Sequence, residues 1–287
     1  MLCCSFLIDL HQHTHMVNIA ALKTLLAEPK NIVITTHHKP DGDAMGSSLG
    51  LYNYLLQKGH HVHVITPTDY PIFLHWLPNN GEVLIYTDKV AESKQLVADA
   101  DLIFCLDFNA LSRINELGEC VAASAAKKVM IDHHLDPEDF DDYRLWNVNA
   151  CSAAQLVYEF IVDFMAEPEL INKDVANCLY TGIMTDSGSF RFPNTTAAVH
   201  RIVSHLIENG AENARITTAI FNGEKGAPRD AVVLNAAAAI AAFDGKFELN
   251  LHDRIARGVS RAINAIDSGA STRLVAKWAE LSQKLGA

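Results

Sequence analysis

Three short apolar runs in this chain end in side chains able to hold a metal ion or move a proton. Residues 32–48 read Ile-Val-Ile-Thr-Thr-His-His-Lys-Pro-Asp-Gly-Asp-Ala-Met-Gly-Ser-Ser, so a β-branched run stops at His37 and is followed by Asp41 and Asp43, with Pro40 and Gly42 as turn formers. Pro40 biases Lys39 toward extended geometry, and Gly42 is expected to fold the backbone between the two carboxylates. Two hard oxygen ligands and one imidazole aimed into one small volume suit Mn²⁺ or Mg²⁺. A solvated Asp-Gly turn after a strand is the plainer reading of the same residues. The run Leu102-Ile-Phe-Cys-Leu106 then ends at Asp107, and Val129-Met-Ile131 ends at Asp132-His133-His134. A single Asp at a strand end is more often a cap than a catalyst; three strand ends of this kind point to a shared site.

The elements that must position these residues alternate. Strands are expected before His37 and over 62–65, 83–87, 102–107 and 129–131. Helices are expected over 18–28, closed by Pro29, over 44–58, with Leu49, Tyr52, Leu55 and Leu56 at helical spacing and Gly59 as the stop, and over 89–98. Further helices are expected over 150–165, starting near Ser152, over 173–185, which carries Val175, Leu179 and Ile183 on one face and delivers Asp186 at its end, and over 195–209 and 213–221, with Gly210 between. The pattern predicts an α/β fold: a mostly parallel sheet with flanking crossover helices, whose ligands bind at the carboxyl edge of the strands. Residues 67–81 read as a loop with Phe73 and Trp76 packed beneath it, His60, His61 and His63 as sheet-end residues, and Phe190 and Phe192 as core or hairpin residues.

The composition, 49% hydrophobic and 20% charged over 287 residues, allows a sizeable core in one large or two smaller domains. A formal net charge of −11 argues against a partner such as long duplex nucleic acid, because that affinity rests on Lys and Arg neutralising phosphates. A small phosphorylated ligand stays compatible, since bound cations can reverse the local field. The six cysteines show no CxxC pair and read as reduced thiols of a cytoplasmic protein. No run approaches the roughly 18 apolar residues of a membrane span, and residues 1–17, with His11, His13 and His15 alternating, read as a poorly ordered leader.

On four ordered motifs the sequence resembles the DHH phosphoesterase superfamily over roughly residues 18–222. They are His37-His-Lys-Pro-Asp-Gly-Asp43, Leu106-Asp-Phe-Asn-Ala-Leu-Ser-Arg113, Ile131-Asp-His-His134 and Gly182-Ile-Met-Thr-Asp-Ser-Gly-Ser-Phe-Arg191. It is most similar to the branch of oligoribonucleases and 3′-phosphoadenosine 5′-phosphate phosphatases, which act on very short RNAs or linear dinucleotides. The resemblance implies two divalent cations, Mn²⁺ ahead of Mg²⁺, with His37 and Asp41 on the first, Asp43 and His133 on the second, Asp107 bridging and Asp186 completing the site. Four carboxylates balance the four charges of two such ions, and no thiolate is present to favour zinc. Two ions sharing a hydroxide would support in-line attack on a phosphate. Asp132 would orient a ligand imidazole, His134 would face the phosphate as hydrogen-bond or proton donor to the leaving group, and Arg113 and Arg191 are candidate phosphate contacts or ordinary surface ion-pair residues. Cys151-Ser152-Ala153 stands where the family has a small-residue turn, with close packing against the metal loops as its expected work.

Beyond Asn222 the resemblance ends. The Gly-Gly-Gly-His type motif of the second, substrate-gripping domain of this branch does not occur, and residues 223–287 are similar instead to the C-terminal helices of anthranilate phosphoribosyltransferases, a fusion whether natural or artefactual. That segment reads as Ala-rich helices over 231–243, 253–266 and 271–285 that could pack on the first domain or form a homodimer interface. Without the clamp, weakened affinity for substrate is expected. The expected function is therefore a metal-dependent phosphoesterase of short phosphorylated nucleotides, with pyrophosphatase-like activity as a neighbouring substrate choice. The alternative is a catalytically weak metal- or nucleotide-binding remnant whose C-terminal helices serve assembly.

Overall fold

A computed structural model describes residues 15–16, 18–212, 225, 227–246 and 248–285. The expected leader lies outside these residues except for His15–Met16, and so does the helix expected over 213–221. The chain separates into two compact units, Met1–Ala211 and Glu212–Ala287.

In the first unit, six parallel strands form the sheet expected from the alternating pattern: β2 (Asn31–Thr36), β3 (His61–Thr66), β4 (Leu84–Ile85), β5 (Leu102–Leu106), β6 (Lys127–Asp132) and β7 (Tyr143–Trp146). The two-residue β1 (His15–Met16) pairs antiparallel with β7, giving the order β1-β7-β6-β5-β2-β3-β4. Helices α1 (Ile19–Leu25), α2 (Gly42–Gln57), α3 (Val90–Asp99), α4 (Glu116–Ala123), α5 (Ala153–Glu159), α6 (Lys173–Asp186) and α7 (Ala197–Glu208) cover it. Every residue of β5 is buried because both faces are covered, as the unbroken run Leu-Ile-Phe-Cys-Leu requires. Ile32, Ile34, Phe104, Val129 and Ile131 point into one core with Leu49, Leu156 and Leu179, while Val33, Ile103 and Cys105 point into the other with Val97, Leu117 and Val121. Each fully buried side chain of this size contributes about 1.5–3 kcal/mol over exposure.

The strand expected over 83–87 shrinks to Leu84–Ile85, because only Ile65 and Thr66 of β3 offer it a partner. Strand β7 and helix α4 were not anticipated. Phe190 does pack on the core, near Tyr180 and His200, but Phe192 is 53% exposed and residues 187–194 form turns, not a hairpin. Phe73 and Trp76 pack on the core under their loop as expected. Cys105, Cys151 and Cys178 are buried and free, and Cys120 is free and half-buried.

Helices α2 and α6 approach closely through small residues. A Cβ on Gly46 would lie 2.6 Å from the Cys178 carbonyl and 2.7 Å from the Gly182 nitrogen, so the backbones meet without side chains between them. This contact sets the distance between the start of α2, with Asp43, and the end of α6, with Asp186.

In the second unit, α8 (Ala227–Asp244), α9 (Leu251–Asp267) and α10 (Ala270–Leu285) follow one another, ending or turning at the positive-φ residues Gly245 and Gly269. Gly258 of α9 sits against the backbone of Ala237 of α8, and Val233, Ala262 and Ile266 close a small core. Among the described residues no helix is long and apolar enough to cross a membrane.

Candidate metal centre

The sheet order reverses between β2 and β5, and both strands end there. Thr36 pairs with Leu106 and Leu106 with Ile131, so His37, Asp107 and Asp132 leave three adjacent strands at one level. Asp107 turns out of β5 with φ 62, a left-handed conformation that Asp tolerates better than most residues, and its N–H donates to the Ile131 carbonyl at 3.1 Å.

The loop after β2 departs from its expected form. Lys39, expected to be extended before Pro40, has φ 53. Two long-range bonds hold it there: His38 N–H donates to the Arg113 carbonyl (2.9 Å) and Lys39 N–H to Thr68 Oγ1 (2.9 Å). Gly42 does not bend the chain between the carboxylates; it is the first residue of α2, and a Cβ there would strike the Thr185 side chain. Asp41 caps that helix, its Oδ1 accepting from Asp43 N–H at 3.0 Å and Ala44 N–H at 3.1 Å. Asp43, one residue into the helix, is buried.

The Asp43 carboxylate is held from the other side of the site. Ser152 caps α5, and the first N–H groups of that helix donate to Asp43, Ala153 N to Oδ2 at 2.6 Å and Ala154 N to Oδ1 at 2.9 Å. Gly182 leaves room for this pairing, since a Cβ there would lie 2.5 Å from the Ala154 methyl and 2.9 Å from Asp43 Oδ1. The small residues after Ala150 thus take up close packing against the metal loop, and their N–H groups do work that the side chains alone did not reveal.

His37 Nδ1 lies 2.9 Å from the His38 carbonyl and His133 Nδ1 3.2 Å from the Ala150 carbonyl. A carbonyl cannot donate, so Nδ1 carries hydrogen in each ring and Nε2 faces inward. His37 Nε2 lies 3.5 Å from Asp107 Oδ2 and 3.9 Å from Asp41 Oδ1. His133 Nε2 lies 3.4 Å from Asp107 Oδ1, 3.6 Å from Asp186 Oδ2 and 3.8 Å from Asp43 Oδ2. Three overlapping groups result, His37 with Asp41 and Asp107, Asp43 with His133 and Asp186, and Asp107 with His133 and His134, each with ligand atoms within 4.8 Å of one another.

Burial alone would raise the Asp107 carboxyl, but the His133 and His37 imidazoles outweigh it and hold it at about 2. Burial opposes the charged form of His133, and the carboxylates of Asp107, Asp43 and Asp186 overcome it, raising that imidazole to about 10. His37 is raised too, against its burial, by Asp107 first. Asp43 is pushed well above the carboxylate range by burial and then by the charge of Asp107, and Asp186 is raised mainly by burial. This excess of buried negative charge, together with Asp107 Oδ1, which is buried and accepts no hydrogen bond, fits divalent cations among these oxygens and nitrogens.

The remaining candidates sit differently. Asp132, buried, holds His134, the histidine grouped with Asp107 and His133: Oδ1 lies 2.8 Å from His134 Nδ1 and Oδ2 accepts His134 N–H at 3.1 Å. Asp132 therefore orients the His134 imidazole, while the Ala150 carbonyl lies against His133 Nδ1. Arg191 is exposed and its Nε donates to the Gly188 carbonyl at 2.7 Å, tying it to the turn after Asp186. Arg113 is half-buried, and its carbonyl rather than its guanidinium joins the metal loop. Trp146, which no motif singled out, donates its indole N–H to the His134 carbonyl at 2.7 Å. Its signal was the alternating Tyr-Arg-Leu-Trp of β7, masked by its shortness and by the acidic stretch before it.

Residues 31–183 match the model of the DHH family, N-terminal domain. The chain is 35% identical over 190 residues, 65% of its own length and 52% of the other, to the bifunctional oligoribonuclease and PAP phosphatase NrnA of Thermus thermophilus. It therefore spans about half the length of that curated relative. It is also 52% identical over 73 residues to the anthranilate phosphoribosyltransferase of Rhodococcus jostii, a quarter of this chain and a fifth of that one. Among solved structures it is similar to an exopolyphosphatase-related protein from Bacteroides fragilis, with 37% identity and a TM-score of 0.70 over 77% of this chain and 64% of that chain.

Proposed function

The chain belongs to the DHH family, and on that footing we propose that residues 18–222 form a metal-dependent phosphoesterase acting on short phosphorylated nucleotides, namely very short oligoribonucleotides, linear dinucleotides or 3′-phosphoadenosine 5′-phosphate. The carrying observation is the position of Asp107, whose Oδ2 faces His37 Nε2 at 3.5 Å while its Oδ1 faces His133 Nε2 at 3.4 Å. One carboxylate thus addresses both halves of the cluster. His37, Asp41 and Asp107 would hold one cation and Asp43, His133, Asp186 and the shared Asp107 the other, Mn²⁺ ahead of Mg²⁺. Bound there, two cations supply positive charge for the phosphoryl oxygens and acidify a water for in-line attack.

The chain's own residues do the rest. The N–H groups of Ala153 and Ala154 keep Asp43 in one orientation, and the Ala150 and His38 carbonyls keep both imidazoles turned with Nε2 inward. Asp132 holds His134 by Nδ1, which leaves Nε2 to donate to the leaving oxygen of the substrate. Arg191 and Arg113, beside the turn and the loop that flank the cluster, are assigned to the substrate phosphate. The named activities of the Thermus thermophilus relative support the substrate class.

A second reading draws on the tail. The chain shares a stretch of 73 residues with a phosphoribosyltransferase, which favours a centre that binds metal and nucleotide with little turnover. The deciding experiment measures nucleotide and phosphate release with Mn²⁺ from 3′-phosphoadenosine 5′-phosphate, a linear 5′-phosphorylated dinucleotide and pyrophosphate, with Asp107→Asn as control. Turnover of a nucleotide substrate that the control loses supports the phosphoesterase. No turnover of any, with two Mn²⁺ bound per chain, replaces it by the binding reading.

A further inference from the structure

We propose that Trp146 is a positioning residue for His134, acting through the indole N–H that closes on the His134 carbonyl at 2.7 Å. The inference rests on the reading of His134 as donor to the leaving oxygen. It adds a residue outside the four motifs to the machinery of that step.

The geometry around His134 leaves it one free polar atom. Its N–H is given to Asp132 Oδ2 at 3.1 Å and its Nδ1 lies against Asp132 Oδ1 at 2.8 Å. Both bonds come from one side chain, so by themselves they form a hinge about the Asp132 carboxylate. The Trp146 bond engages the opposite end of the residue and removes that freedom. Its position is fixed by the sheet: Trp146 pairs with Asp132 across β6 and β7, and the Asn147 N–H donates to the Asp132 carbonyl at 3.3 Å. The residue that carries the orienting carboxylate therefore also sets the register of the indole. The His134 ring stands edge-on to His133, centroids 4.9 Å apart, and its side chain is about one-third exposed, so Nε2 is the atom left for substrate.

The chain just past His134 supplies little support of its own. Leu135 is 67% exposed and Asp136 has φ 54, so the backbone turns outward at once. Asn109 Nδ2 secures the next carbonyl, that of Leu135, at 2.6 Å. The Trp146 bond acts on His134 itself, at the carbonyl that the two Asp132 bonds do not reach. A donor displaced by a fraction of an ångström loses efficiency in proton transfer without loss of binding.

The test uses the full chain with Mn²⁺ and two substrates, a linear 5′-phosphorylated dinucleotide, whose leaving oxygen needs a proton, and the p-nitrophenyl ester of thymidine 5′-monophosphate, whose leaving group does not. Trp146→Phe is expected to lower kcat on the dinucleotide about tenfold, with KM and Mn²⁺ affinity unchanged, and to leave the p-nitrophenyl ester nearly unaffected. Trp146→His, which keeps an N–H donor, is expected to recover part of the loss, and Trp146→Phe is expected to add nothing to His134→Gln. Equal losses on both substrates, or a full further loss in the His134→Gln background, would reduce Trp146 to a structural residue and overturn the inference. An unimpaired Trp146→Phe beside an impaired His134→Gln overturns it alone. An unimpaired His134→Gln, or no turnover by the unmodified chain, overturns the donor reading beneath it as well.

Discussion

Asp132 Oδ1 lies 2.8 Å from His134 Nδ1, so the first residue of the Asp-His-His tripeptide grips the third, while the middle one turns its Nδ1 to the Ala150 carbonyl. The alternation of a strand end explains it: neighbouring residues leave in opposite directions, and residues two apart leave together. Asp132→Asn keeps the shape and one acceptor but removes the charge that orients and polarises the imidazole. We expect kcat to fall about 10–100-fold with Mn²⁺ stoichiometry retained, measured by steady-state kinetics and isothermal titration.

The α2 and α6 contact sets the spacing of Asp43 and Asp186. Gly46→Ala places a methyl 2.6 Å from the Cys178 carbonyl, backbone that cannot rotate away. The expected cost is about 1–3 kcal/mol, seen as a lower Tm together with weaker Mn²⁺ binding. Gly81→Ala, whose added methyl meets nothing within 4 Å, is the control and is expected to change neither.

Without cations, His133 is held protonated up to about 10, since the surrounding carboxylates outweigh its burial. Metal binding requires that nitrogen free, so Mn²⁺ must displace a proton. Below that pH the affinity is expected to rise with pH, about tenfold per pH unit for each proton released. Titration calorimetry in two buffers of different ionisation enthalpy gives the proton count directly; a count of zero near neutral pH contradicts this electrostatic account.

Glu167 accepts from Tyr54 Oη and from Lys58 Nζ. Burial would raise its carboxyl, but the Lys58 and Tyr54 bonds outweigh it and the pKa is lowered. Its contribution is therefore complete above the unfolded value of about 4.3 and is lost as pH falls through the lower folded value. Glu167→Gln should destabilise by about 1 kcal/mol at neutral pH, allowing for solvent screening, and the two proteins should converge in Tm in strongly acidic solution. A difference that persists unchanged through the acid range would assign the effect to packing.

Much of this was open to reading in one dimension because it rests on local chemistry. The β-branched run before His37, the unbroken apolar Leu102–Leu106 and the helical face of Val175, Leu179 and Ile183 specify strand, strand and helix from side-chain period alone. They also place acids and imidazoles at the ends of those elements. Other features depended on partners far away in the chain. Lys39 goes left-handed against the preference set by Pro40 because Thr68 and Arg113 hold its loop. Strand β7 escaped notice because four residues carry too little period, and with it went Trp146.

By itself, the sequence determined which residues could hold a cation and at which element ends they stand, because ligand chemistry belongs to the side chain and periodicity to its neighbours. Only the tertiary structure decided that β5 lies between β2 and β6, which turns Asp107 toward both His37 and His133, and that backbone N–H groups of α5 hold Asp43. Those relations are set by strand order and by contacts between residues distant in the chain, and no local spacing encodes them.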